Sequence, residues 1–264
     1  MPSACDVVVV GGGPAGCAAA TFLAQAGLDV LLLDRAHFPR DKPCGEFLTP
    51  ETMRLFRSLG VWEAVRKAGA VRVPVAQLWS PNGALAQYSP EEEEAAGWSL
   101  RRTALDVALL ENARAHGAEV REGVAVRGLV WEEGRVGGVI CGDGRKVSAR
   151  LVVGADGAHS LIARQLGWVR PIPCLQRVAV VSHWRGVKDL PGIEMRVQGK
   201  TVCGFSPTAP NEANLTLVLP TSYAACIAGR AGEFLEEHLH VQFPDLAERL
   251  EGAEREETVR TVGC

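Results

Sequence analysis

Three glycines set between a β-branched run and an alanine-rich run constrain this chain more than any other feature. They are Gly11, Gly13 and Gly16 in VVVVGGGPAGCAAA, spaced G-x-G-x-x-G. Residues 6–10 are apolar and β-branched, which predicts a buried parallel strand. Residues 14–26 are good helix material, and Gly27 follows as a C-terminal stop. Residues 30–33 predict a second strand that ends at Asp34. The order is strand, glycine turn, helix, strand, a βαβ unit of about 30 residues. In that setting the glycines read as a dinucleotide site rather than a plain connecting turn. Gly11 permits the tight turn, Gly13 lets the backbone approach a pyrophosphate with no Cβ in the way, and Gly16 allows close helix–strand packing. Pro14 and Ala15 open the helix, whose N-terminal N–H groups and partial positive charge face the phosphates. Asp34 is placed to accept hydrogen bonds from ribose hydroxyls and would repel a 2′-phosphate.

Beyond this unit, residues 35–46 (RAHFPRDKPCGE) are polar and proline-containing and predict a long ordered loop. Two helices are expected at 51–59 and 61–68, then strands at 71–79 and 84–88 around a turn at 80–83. The acidic run 91–94 reads as a solvated loop. Residues 102–116 have helical spacing, with Leu105, Leu109, Leu110 and Ala113 on one stripe. Three strands at 124–131, 135–141 and 146–153 follow, then a glycine turn and a short helix at 160–167. A second, antiparallel sheet is expected from 177–185, 194–197, 201–205 and 214–219, and a helix over 232–251. The fold class is α/β: a Rossmann-like dinucleotide-binding domain with a parallel sheet (1–70 plus 100–170), interleaved with a mainly antiparallel substrate sheet (71–99 plus 171–264).

Composition narrows the partners. Net charge is −3, so no basic field invites nucleic acid, and only 6% aromatic residues give little support to a base-stacking platform. The eight cysteines include no Cys-x-x-Cys pair and read as reduced, mostly buried thiols, which together with the absence of a signal peptide or transmembrane span points to the cytoplasm. The six histidines are dispersed, no Gly-x-Ser-x-Gly elbow is present, and no metal site is expected. His159 reads as a surface histidine at a helix start.

Three motifs in order resemble the aromatic-hydroxylase-like FAD superfamily, which includes flavin monooxygenases, geranylgeranyl reductases and flavin-dependent halogenases. The first is GGGPAG with Asp34-Arg35. The second is Arg102-Thr103-Ala104-Leu105-Asp106, opening a helix and followed by Gly117-Ala118-Glu119-Val120. The third is Gly154-Ala155-Asp156-Gly157-Ala158-His159-Ser160 with Arg164 and Gly167. The resemblance implies FAD as cofactor. It places Arg102 near the FAD phosphate and ribityl region, Val124 along the adenine, and Asp156 and Gly157 in a motif tied to flavin and reduced nicotinamide. Two of these residues have plainer readings: Arg102 as an exposed helix-start arginine, Asp156 as a turn residue and helix cap. Residues 40–46 resemble the loop of the geranylgeranyl-reductase-like branch, which would set Cys44 and Gly45 beside the isoalloxazine. Cys44, flanked by Arg40 and Lys42, is there either a candidate reactive thiol or a packed small residue. Arg35 and Arg40 are candidates for flavin-phosphate or adenosine contacts.

The chain also departs from the superfamily. Its second flavin motif, Gly-Asp-Ala before a Pro- and Gly-rich turn, has no match between residues 171 and 264, which implies a truncated chain. Val202-Cys203-Gly204-Phe205-Ser206-Pro207 falls where prenyl reductases carry Tyr-x-Trp-x-Phe-Pro, without the Tyr or the Trp. The expected activity is therefore an NAD(P)H-using monooxygenase acting on a small organic or aromatic molecule, with the nicotinamide visiting transiently because no second glycine fingerprint exists. A reductase of the geranylgeranyl-reductase-like branch and a non-catalytic nucleotide-binding fragment are the alternatives.

Overall fold

The computed structural model describes residues 4–92, 95–170 and 172–263. Glu93 and Glu94 of the acidic run lie outside them. The chain divides into two compact units: Met1–Asp41, Phe56–Val65 and Thr103–Pro171 form the first, and Lys42–Leu55, Arg66–Arg102 and Ile172–Cys264 the second.

The first unit is built on a six-stranded sheet in the order Glu119–Arg121, Val30–Leu33, Ala4–Val10, Lys146–Gly154, Arg135–Cys141, Val126–Glu132. The first four strands run parallel and the last two join antiparallel. Val7 to Val10 and Val30 to Leu33 are buried throughout, as strands covered on both faces must be. Each such side chain contributes roughly 1.5–3 kcal/mol of burial. Val8, Val10, Leu31 and Leu33 pack in one cluster with Leu129, Val139, Val147 and Ile162. Helix Pro14–Gln25 buries Gly16, Cys17, Ala20 and Thr21. The parallel strand Glu119–Arg121 is too short to be read from periodicity and adds an edge that the sequence did not announce.

The second unit carries a sheet in the order Glu254–Arg255, Arg177–Arg185, Glu212–Pro220, Thr201–Ala209, Ile193–Gln198, Ala76–Trp79, Leu85–Tyr88, with Arg260–Gly263 also paired to Arg177–Arg185. It is antiparallel except where Ala76–Trp79 runs parallel to Ile193–Gln198. The alternation of side chains gives it two distinct faces. Val180, Trp184, Cys203, Phe205, Leu215, Leu217 and Leu219 pack with Phe234, Leu235, Leu239 and Leu246 of helices Ala231–Gln242 and Pro244–Arg249. The intervening residues form the other face.

Several boundaries differ from the sequence reading. The single strand expected at 71–79 is two, Val71–Val73 and Ala76–Trp79, in different sheets. Pro74 separates them, since it has no N–H to give a ladder. Val71–Val73 instead joins Phe47–Leu48 and Gly97–Ser99 in a small three-stranded sheet. The helix expected over 232–251 breaks at Phe243, because Pro244 cannot continue the ladder but is well suited to start the next helix. Residues 42–55, 66–70 and 100–102 group with the second unit, whereas the sequence reading set them in the dinucleotide-binding domain.

Candidate functional site

The glycine turn is made by backbone. Gly11 has φ +107°, and a Cβ there would meet the Ala155 carbonyl oxygen at 2.3 Å. A Cβ on Gly16 would lie 1.8 Å from the Gly11 carbonyl oxygen, so helix and turn touch with nothing between them. At Gly13 the space is open, with only Arg40 Nη2 within reach, at 3.7 Å from where a Cβ would be. Gly13 caps helix Pro14–Gln25 in extended backbone, no side chain takes the cap hydrogen bonds, and no acidic residue lies in the first turn. The helix N-terminus therefore keeps its N–H groups and positive end for an anion.

Asp34, buried at the end of its strand, accepts the Gly12 N–H through Oδ2 at 2.6 Å and the Ala36 N–H through Oδ1 at 2.8 Å. Each oxygen retains a lone pair for a ribose hydroxyl. Gly12, which the spacing rule passes over, is thus held by the acidic residue, and a Cβ on it would press on Asp34 and the Phe38 ring. Val124 donates its N–H to the Asp34 carbonyl oxygen at 2.8 Å, which brings that expected residue to the same strand end. Arg35 is exposed.

Arg40 returns to the glycine turn. Its guanidinium lies 4.9 Å from the Phe38 ring centre, and its Nη2 is 3.3 Å from Asp106 Oδ2, whose side chain is fully buried. Arg40 Nε is buried with no protein partner among the described residues. The quoted motif at 102–106 contained Asp106, but its pairing with Arg40 was not legible from spacing.

The Asp156 side chain makes the bonds of its plainer reading, a helix cap. Oδ1 accepts the Ser160 hydroxyl at 2.5 Å, and Oδ2 accepts the N–H groups of Leu161 and Ile162 at 2.6 and 3.3 Å. It caps helix Leu161–Gln165 together with Ser160, whose Oγ accepts the Ala163 N–H. What lies against Gly11 is the Asp156 backbone. Gly157 has φ +84° with open space beside it, a turn position that favours glycine.

The remaining expected residues belong to the second unit. Arg102 opens helix Arg102–Ala115, and its N–H donates to Glu46 Oε1 at 3.0 Å. Cys44 Sγ accepts the Glu46 N–H at 3.3 Å, and the Cys44 carbonyl accepts Asn214 Nδ2 at 2.9 Å. A Cβ on Gly45 would meet nothing within 4 Å. Glu46, which the sequence did not single out, is buried at φ +58°. Its Oε2 lies 2.8 Å from His183 Nε2 and 3.4 Å from Asn214 Nδ2.

Among the described residues the other cysteines are free as well. Cys17, Cys141 and Cys203 are buried, but Cys174 and Cys226 are exposed, so the expectation of mostly buried thiols is corrected. Burial pushes the Cys17 and Cys203 thiols up to about 12, which keeps them protonated and unreactive. Among the described residues no group of three or more His, Cys, Asp or Glu is placed to hold a metal ion. No described helix is long and apolar enough to cross a membrane.

An uncapped helix end, a glycine turn closed by backbone contacts and a carboxylate at the second strand's end form the frame of a dinucleotide site, and a family comparison says which kind. The chain belongs to the FAD binding domain family, which matches residues 4–244. This FAD binding domain is 37% identical over 180 residues to menaquinone reductase of Mycolicibacterium smegmatis, a match covering 63% of the chain and 41% of the relative. It is 29% identical to geranylgeranyl diphosphate reductase of Rhodobacter capsulatus over 98% of the chain and 62% of the relative. The chain thus spans less than two thirds of either relative. Its fold is that of the flavin-dependent brominase Bmp2, with a TM-score of 0.87 at 23% identity, covering 98% of the chain and 67% of that structure. The protein is therefore of an FAD-dependent oxidoreductase family, and its mixed parallel and antiparallel α/β fold is the one expected. The open Gly13, the uncapped helix and the unpartnered Arg40 Nε fit a diphosphate, and Asp34 fits an adenosine ribose.

Proposed function

We propose that this chain is the flavin-binding part of an FAD-dependent reductase acting on an isoprenoid-bearing lipid. Gly11 to Gly16 and the helix behind them would hold the diphosphate, Arg40 would neutralise it from the side, and Asp34 would take the ribose. FAD supplies hydride transfer when bound. The protein's part is to place the substrate and to move the accompanying proton.

The observation that carries this reading is the face of the second sheet opposite helices Ala231–Gln242 and Pro244–Arg249, where Asn214, Ser206, Val181 and Ala179 are buried. Register sets His183, Asn214 and Ser206 in one polar row across three strands. The next row is Val181, Thr216, Gly204, Met195 and Leu78, and the one after it Ala179, Val218, Val202 and Val197. Met195 and Leu78 are exposed although apolar. A polar row followed by two mainly apolar rows matches a molecule with a polar or unsaturated head and a hydrocarbon tail. The reductases named above act on substrates of that kind.

A second reading, the NAD(P)H-using monooxygenase, draws on Val202 and Gly204, which stand where prenyl reductases carry an aromatic pair. The test is to load the chain with FAD, photoreduce it without oxygen and add a short-tailed menaquinone. Return of the flavin's visible band, with a product that has gained H₂, supports the reductase, and the quinone spectrum tells whether ring or chain was reduced. No anaerobic reoxidation, with oxygen-dependent hydroxylation of an aromatic acceptor, gives the monooxygenase.

A further inference from the structure

We infer that His183 is the proton-transfer group of the substrate sheet and that Glu46 is its positioning carboxylate, an assignment that rests on the reductase reading. The pair is built from parts of the chain with no sequence relation. Glu46 is forced into the left-handed region at φ +58°, where a non-glycine residue is uncommon, and its own backbone is tied down by Ser99 Oγ and Leu100 N–H at 2.9 and 3.2 Å. Its side chain is 3% exposed, and both oxygens are engaged, Oε1 by the Arg102 N–H and Oε2 by His183 and Asn214.

A carboxylate only accepts, so at 2.8 Å the hydrogen between the two side chains sits on His183 Nε2. Asn214 Nδ2 lies 3.3 Å from the same nitrogen, but its own hydrogens go to the Cys44 carbonyl at 2.9 Å and to Glu46 Oε2. The Asn214 side chain is in turn oriented by the Thr216 hydroxyl, which donates to its Oδ1 at 2.9 Å. His183 Nδ1 is left with no protein partner among the described residues, on a side chain 12% exposed. That side chain lies on the face opposite the helices, in the row next to Val181 and Thr216. A ring fixed at one nitrogen and unclaimed at the other is what general acid–base transfer needs. A histidine that only filled space in a sheet would not require a buried carboxylate on a strained backbone.

When bound, the reduced dinucleotide would supply a hydride, with its two electrons, to an unsaturated bond of the substrate, and His183 would supply the proton from Nδ1 of its imidazolium, be left neutral and regain a proton from solvent. The charges facing His183 are Glu46 from the loop and Glu256, whose N–H donates to the His183 carbonyl at 2.9 Å. Around them lie Arg101 and Arg185, both paired with Glu256, and Glu212, paired with Arg185.

The test uses the full chain loaded with FAD. In single turnovers with the photoreduced flavin and short-tailed menaquinone, the wild-type rate is expected to fall along one limb as pH rises. In His183→Gln, whose amide still donates to Glu46, the rate is expected to drop about a hundredfold and that limb to vanish. Glu46→Gln is expected to slow the reaction and displace the limb, while FAD affinity stays the same in both variants. Retention of the limb in His183→Gln, or an unchanged rate and profile in Glu46→Gln, overturns the assignment. Ring-nitrogen NMR gives a readout independent of turnover. The expected result is the Nε2–H tautomer in wild type and a changed tautomer balance in Glu46→Gln. An Nδ1–H tautomer, or a tautomer balance indifferent to Glu46→Gln, overturns it. Should wild type not reduce the quinone, the reductase reading falls, and the ring-nitrogen result still decides the pair.

Discussion

The glycine turn of the first unit and the Glu46–His183 cluster of the second are both polar arrangements, yet they are assembled in opposite ways. The turn is contiguous backbone: Gly11, Gly13 and Gly16 do their work by lacking a Cβ, and one carboxylate from the next strand pins the loop. The cluster is side chains brought together from positions 137 and 168 apart in the chain. Backbone sites of the first kind leave a spacing signature in sequence, because each position tolerates one residue type for a local reason. Sites of the second kind leave none, because their geometry is produced only by the completed sheet.

Four substitutions separate the two kinds of site, and the largest effect is expected in the turn. Gly16→Val would place a side chain 1.8 Å from the Gly11 carbonyl oxygen. The expected cost is about 3 kcal/mol or more with loss of flavin uptake, read by thermal unfolding and by absorbance after adding FAD. A variant that still bound FAD with wild-type affinity would break the idea that backbone contact defines this site. Asp106→Ala comes next: it strips the carboxylate from a mostly buried Arg40 and is expected to cost about 3 kcal/mol in urea unfolding. Asp156→Ala should cost less, about 1–2 kcal/mol, because it removes helix-capping hydrogen bonds while leaving the backbone beside Gly11 in place. If Asp156 instead serves the cofactor through its side chain, the variant would lose flavin affinity out of proportion to its stability.

The smallest effect concerns pH and lies beside the cluster. Hydrogen bonds from Arg101, at 2.8 and 2.9 Å, hold the Glu256 carboxyl below its usual 4.5. A carboxyl lowered in the folded state stabilises above its unfolded pKa, and that contribution is lost as pH falls through the folded value. Glu256→Gln should therefore be less stable than wild type at neutral pH, by under about 1 kcal/mol for a partly exposed pair. Its unfolding midpoint should also fall less steeply below about pH 4.5. Equal slopes for the two proteins would remove Glu256 from the acid response.

The sequence disclosed the parts of the fold governed by local rules. Val30–Leu33, the helix over Arg102–Ala115 and the strands Arg135–Cys141 and Arg177–Arg185 follow from apolar periodicity and stand where that periodicity put them. Short strands such as Phe47–Leu48 and Gly97–Ser99 have no period to show and exist because they pair with each other. Within the candidate site, Gly11, Gly16 and Asp34 were legible from spacing. Asp106 and His183 were not, since one is a helix residue and the other a strand residue whose partners come from distant segments.

The centre of the first sheet joins Ala4–Val10 to Lys146–Gly154 in parallel register, Val7 against Leu151 and Val10 against Gly154. This has a bearing on how the chain is made. At about 5–20 residues per second, a ribosome needs roughly 7–30 seconds to deliver the partner of the first strand. Through that interval the buried Val7–Val10 run, already translated, has only Val30–Leu33 to pair with. One of its edges stays open to other nascent chains until residue 154 has left the exit tunnel. Expression at lower temperature or with holding chaperones should therefore raise the yield of this protein more than any change to its surface.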